Sequence, residues 1–258
     1  MKLIPLSSWL TDRIVTVIVG RDQKKWAVHA KLLCSKSKYF DRFFNGDEEH
    51  EARDDMHLPG EDPKLFALLI RWLYGTAFAN SGGTRIFRFN PPDGKDITVR
   101  DYIGLYILGG KIEIMGVKNA AIDALYAYFG PDAEKAPGEA RHPDFRDIQY
   151  AFEHTLPDSH MRRLLVAHAL FYLFGKKRRG APLPPAWEEV ISRNGEIAWA
   201  MTKMLSDWKW VMGTNIPDMK IKARQEFHER PFVPPPTVPT AGEQMIKTET
   251  DDDPYPSQ

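Results

Sequence analysis

His29-Ala30-Lys31-Leu32-Leu33-Cys34-Ser35-Lys36-Ser37-Lys38-Tyr39-Phe40 is the stretch that decides the fold. It reads as the end of a strand followed by two short helices, Ala30 to Ser35 and Ser37 to Phe44. Tyr39, Phe40, Phe43 and Phe44 recur at helical spacing on one face, and Asn45-Gly46 ends that helix. Upstream, Arg13 to Gly20 is β-branched and closes on the turn Gly20-Arg21-Asp22. Trp26-Ala27-Val28-His29 then pairs back as a hairpin. Downstream, Asp55-Met56-His57-Leu58 is a short strand closed by Pro59-Gly60.

Helices dominate beyond this point. Asp62 is an N-cap and Pro63 suits the first helical position. Leu65, Leu68, Leu69, Trp72 and Leu73 give that helix an apolar face, and Gly75 is its expected stop. Residues 76–98 read as an inserted loop, with Ser81-Gly82-Gly83, Pro91-Pro92 and Asp93-Gly94. Ile86, Phe87 and Phe89 suggest one short strand inside it. Thr98 and Asp101 form a capping-box pattern for a helix carrying Tyr102, Ile103, Tyr106 and Ile107, which Gly109-Gly110 is expected to end. Val117, Ala121, Ala124, Leu125 and Tyr128 line another, closed by Gly130-Pro131. Residues 131–142 read as a linker. Three helical stretches follow: Phe145 to Thr155, Ser159 to Phe174, and Ala186 to about Met212. Residues 230–258, with Pro234-Pro235-Pro236 and Asp251-Asp252-Asp253, read as a disordered, proline-rich and acidic tail, dispensable for folding.

Composition limits the function classes. The 258 residues carry 35 basic and 35 acidic side chains, so overall charge favours neither nucleic acid nor an anionic membrane as main partner. Charged residues interrupt every apolar run before it reaches the length of a membrane span. The single cysteine, Cys34, excludes an intrachain disulfide and fits a reducing compartment, cytosol or nucleus. It also rules out a zinc finger of the cysteine-rich kind.

The ordered set of elements resembles a BTB/POZ domain. His29 to Leu33 followed by Ser37-Lys38-Tyr39-Phe40 is similar to the central signature of that family. Asp12 matches a frequent family aspartate ahead of the first strand. Leu58-Pro59, Phe66, Leu69 and Trp72-Leu73-Tyr74-Gly75 look like the next strand and helix. Tyr106 to Lys111 and Ile114 to Leu125 are similar to the last two helices. The resemblance spans roughly residues 11–130 after a leader at 1–10, and its style resembles the BTB proteins of filamentous fungi. It implies an α+β fold, a short β-sheet capped by a cluster of α-helices, here with an all-α extension at 143–229. His29 is implied to be structural, tying the hairpin end to the helix that follows. The loop after Gly75 is longer than usual, and the strand that some members exchange between subunits is largely missing before Asp12. Nothing after Tyr128 looks like a Kelch propeller.

Candidate chemistry is sparse. His50-Glu51-Ala52-Arg53-Asp54 nearly matches a zinc-protease helix motif, but Asp54 stands where the second histidine is needed, and the segment reads as a solvated acidic loop. Gly104, Gly109 and Lys111 do not make a phosphate loop, since the lysine must directly follow the second glycine and Gly110 intervenes. Cys34 lies in an apolar segment, the usual place of a buried thiol. His142, His154, His160 and His168 have no metal-ligand spacing. The expectation is therefore no catalytic residue, no cofactor and no metal.

The reading is a non-enzymatic protein–protein interaction module, homodimeric or hetero-oligomeric through its BTB domain, with Trp9 and Leu10 as candidate interface residues. Alternatives within the same fold are a substrate adaptor for a cullin-3 ubiquitin ligase and a transcriptional co-regulator without its own DNA-reading motif. Lys176-Lys177-Arg178-Arg179 matches either a nuclear import signal or cations at a helix C-terminus. Ile246-Lys247-Thr248-Glu249 resembles the SUMO acceptor consensus, with Lys247 as acceptor and Asp251-Asp252-Asp253 downstream.

Overall fold

The structure, a computed structural model, describes residues 13–46, 51–78, 89, 97–130, 142–174, 182–207 and 224–230. Strand β1 (Ile14–Val19) alternates strictly: Val15, Val17 and Val19 are fully buried while Thr16 and Ile18 are half-buried. Strand β2 (Lys24–His29) pairs antiparallel with it, Ile14 opposite His29 and Val19 opposite Lys24. Gly20 turns the chain with φ +78°, and Pro63 packs so closely that a Cβ on Gly20 would lie 2.6 Å from the ring. Conformation and space therefore both demand glycine there.

Two short helices, α1 (Ala30–Cys34) and α2 (Lys38–Asn45), carry the chain over the sheet to β3 (Asp55–Leu58), which pairs parallel with β1. The sheet order is β2-β1-β3. Helix α3 (Pro63–Phe78) starts as the sequence predicts: the Asp62 carboxylate accepts the Lys64 N–H at 2.7 Å. It does not stop at Gly75. A helical glycine costs only about 1 kcal/mol, and the buried face of Phe66, Leu69, Trp72 and Leu73 outweighs that. Thr76 continues the turn, its hydroxyl donating to the Trp72 and Leu73 carbonyls at 2.8 and 3.1 Å.

Helices α4 (Val99–Lys111) and α5 (Met115–Phe129) form a hairpin. The Thr98–Asp101 capping box is present in both directions. Lys64 Nζ donates to the same Asp101 carboxylate at 2.7 Å, fastening α3 to α4. Gly109-Gly110 does not end α4, which runs to Lys111. A Cβ on Gly109 would meet Val117 at 2.6 Å, so this glycine permits close approach of α5. Glu113, with φ +56°, makes the reversal instead.

Helices α6 (Phe145–His154), α7 (His160–Phe174), α8 (Pro185–Arg193) and α9 (Gly195–Asp207) follow, then a 3-10 turn, Arg224–Phe227. The long helix expected from Ala186 is two helices. The chain leaves helical geometry at Asn194, whose side chain caps α9 by accepting the Ile197 N–H at 3.2 Å. Ile86 and Phe87 lie outside the described residues. Phe89 is buried but in no strand, so it gives the expected strand no support.

Two hydrophobic cores share the α4–α5 hairpin. The first packs the sheet and α1 to α3 against Leu105, Leu108, Ile112, Ile114 and Val117. The second packs α6 to α9 against Ile103, Tyr106, Ala121, Ile122, Leu125 and Phe129. His168 sits in this second core, its ring centroid 5.1 Å from Phe129 and 6.2 Å from Tyr126. Burial pushes its pKa down from 6.5 to about 4. Because the unfolded chain binds this proton more tightly, stability is complete above about pH 6.5 and falls progressively toward pH 4. The total is on the order of 3 kcal/mol for such a shift. A series of melts across that window should show the decline, and His168→Leu should flatten it. An unchanged slope would contradict the assignment.

Candidate interaction site

The signature residues converge on the junction of sheet and helices. Leu33 and Phe40 are fully buried, and Phe40 stacks on Phe44 at 6.0 Å. Ser37 acts twice: its hydroxyl accepts the Phe40 N–H at 3.1 Å, capping α2, and donates to the Ile112 carbonyl at 2.5 Å. It thereby joins the α1–α2 unit to the end of α4, a long-range role its cap pattern does not reveal. Tyr39 is half-buried on the rim of the same core. His29 Nδ1 lies 2.8 Å from the Tyr74 hydroxyl, which also accepts the His29 N–H at 3.2 Å. The histidine is structural but ties the hairpin end to α3, not to the helix that follows; at the head of α1 its side chain makes no capping bond. Asp12, Trp9 and Leu10 lie outside the described residues, as do Lys176 to Arg179, Ile246, Lys247 and Glu249.

Arg13 organises the adjoining surface. It donates to Asp54 at 2.9 Å, to Asn45 at 2.8 Å and to the Phe44 carbonyl at 2.6 Å, holding the start of β1 to the end of α2. Nothing in the sequence singles it out, because its partners, the Arg53 carbonyl among them, are at least 31 residues away. Beside it, Ala30, Lys31, Cys34, Ser35, Asp41 and Asn45 border a shallow cleft. Burial, with Asp41 adding repulsion, pushes the Cys34 thiol up to about 11. It stays protonated at neutral pH, a poor nucleophile.

Of the near-motifs, Asp54 is engaged by Arg13 and His50 lies outside the described residues. Gly104 and Gly109 are inside α4, and Lys111 pairs with Glu61 at 2.7 Å. His142 stacks on Tyr172 and His154 Nδ1 lies 2.9 Å from the Tyr150 carbonyl. Among the described residues no three of His, Cys, Asp and Glu converge as a metal site. Among the same residues no helix is long and apolar enough to cross a membrane.

What the surface offers is apolar. Ile14, on the outward face of β1, is 45% exposed, and Trp199 on α9 is 68% exposed.

No curated protein matches the chain. Residues 9–85, which hold the three strands and helices α1 to α3, match the family model of the BTB/POZ domain, and the chain therefore carries a BTB domain over that stretch, a module of protein–protein interaction and oligomerisation.

Proposed function

We propose that the chain acts without chemistry of its own, as an interaction protein that pairs with a second copy through the face at the start of β1. The BTB domain carries this reading, since such domains mediate protein–protein contact and dimerisation. Ile14 supplies the local support. It stands outward on the strand that residues 9–12 lead into, beside the Arg13 network that fixes the strand end against α2. Trp9 and Leu10 would extend the apolar area. A two-fold dimer needs only one self-complementary patch, and it is the commonest assembly of soluble proteins. A charge at the centre of such a patch is desolvated without a partner, which costs several kcal/mol. Ile14→Glu should therefore convert a dimer to monomer at about ten micromolar while leaving the melt cooperative. Light scattering decides it, and a variant that stays dimeric would move the interface elsewhere.

A further inference from the structure

The described C-terminal segment is not merely adjacent to the body; it is held as a ligand would be. Asn119 on α5 reads its backbone from both sides: Oδ1 accepts the Glu229 N–H at 2.8 Å, and Nδ2 donates to the Glu229 carbonyl at 3.2 Å. The Glu229 carboxylate is met by Lys118 Nζ at 2.8 Å and by the Tyr106 hydroxyl, which also accepts from Ser159. Burial alone would raise that carboxyl. The bonds from Lys118 and Tyr106, and the charges of Lys118 and His160, outweigh it and hold the carboxyl below its ordinary value. His228 Nε2 lies 2.6 Å from Asp123, one helical turn beyond Asn119. Phe227 packs on the second core. Backbone, carboxylate, imidazole and aromatic side chain are thus each matched by a separate fixed group. Tyr106, Lys118, Ser159 and Glu229 border a cleft that continues past the segment along Ile107, Lys111, His154 and Leu156.

Peptide recognition draws affinity from main-chain hydrogen bonds and specificity from side-chain contacts, and both hold this segment. We propose that the face formed by α4, α5 and the start of α7 is a peptide-receptor site for a short segment with an aromatic residue, a histidine and a glutamate in succession, filled in cis by Phe227-His228-Glu229 at the end of the 3-10 turn. The same segment supplied in trans takes its place once the cis copy is disabled. A tethered segment competes at an effective concentration on the order of millimolar, so the intact chain conceals the site.

The probe is a fluorescein-labelled synthetic peptide of residues 224–230, and the readout is fluorescence anisotropy with the full chain. The His228→Ala/Glu229→Ala chain should bind it at least ten-fold more tightly than wild type. Adding Asn119→Ala to that chain, or Glu229→Gln to the peptide, should weaken binding about ten-fold. If the double variant does not melt cooperatively, full-chain Glu229→Gln, which preserves shape, replaces it, with about three-fold tighter peptide binding than wild type expected. Failure of the peptide to bind the folded variant, or binding indifferent to Asn119 and to the glutamate, would overturn the proposal.

Discussion

A chain ending at Gly130 should lose the folded, soluble state that the longer chain keeps. Residues 11–130 match the span over which the sequence resembles a complete BTB domain, yet the outer face of α4–α5 is not a surface. Ile103, Ile122, Leu125 and Phe129 are buried there only because α6 to α9 cover them. Exposing four such side chains forfeits roughly 6–12 kcal/mol at the usual value per residue, comparable to the whole stability of a domain of this size. The short chain should elute as aggregate or melt without a cooperative transition, whereas a chain ending at Arg230 retains both cores and the docked segment. Size-exclusion chromatography with thermal melts compares them directly. A monodisperse, cooperatively melting 1–130 fragment would show that the two cores are energetically separate.

Arg162→Ala should be among the most damaging single substitutions in the helical extension. Arg162 is only 5% exposed. Its Nε donates to the Thr155 hydroxyl at 3.0 Å, and Nη1 to Glu196 at 3.1 Å. Nη2 donates to the Phe152 carbonyl at 2.5 Å and to the Thr155 carbonyl, while the guanidinium lies over the Phe152 ring. The side chain thus satisfies the open carbonyls at the C-terminus of α6 and links them to α9. Each buried carbonyl left without a donor costs about 1–3 kcal/mol, and the lost packing adds to it. A loss of roughly 3–4 kcal/mol is expected, or about 10 °C in melting temperature for a body of this size. Arg162→Lys keeps the charge but not the fork, so it should recover only part of the loss. Denaturant titration measures all three forms. A loss below about 1 kcal/mol in Arg162→Ala would mean that water takes over the carbonyls.

The legible parts of this fold are those whose signal is local. The Thr98–Asp101 box, the Asp62-Pro63 start and the β-branched run of β1 each act within a few residues, and each is found where the pattern places it. Gly109 misleads because the same residue type that stops an isolated helix also lets two helices touch, and Gly75 because the buried face of α3 outweighs the small cost of a helical glycine. The break at Asn194 is hidden by apolar spacing that runs on through it, from Trp187 and Val190 to Ile197 and Met201. Arg13, Arg162 and Asn119 are invisible for a different reason. Their importance lies in partners on other elements, and an arginine in water has the same sequence signature as one that is buried. The signature residues His29, Ser37 and Phe40 can be named from the sequence. That His29 answers to Tyr74 and Ser37 to Ile112 cannot, because those bonds span 45 and 75 residues.

The central claim is that this BTB domain works by pairing. Sedimentation equilibrium of the full chain, at concentrations from one to fifty micromolar, tests it most directly. The expected result is a species of twice the 29.6 kDa chain mass, dissociating on dilution and abolished by Ile14→Glu. A single ideal species of 29.6 kDa across the whole range would contradict it.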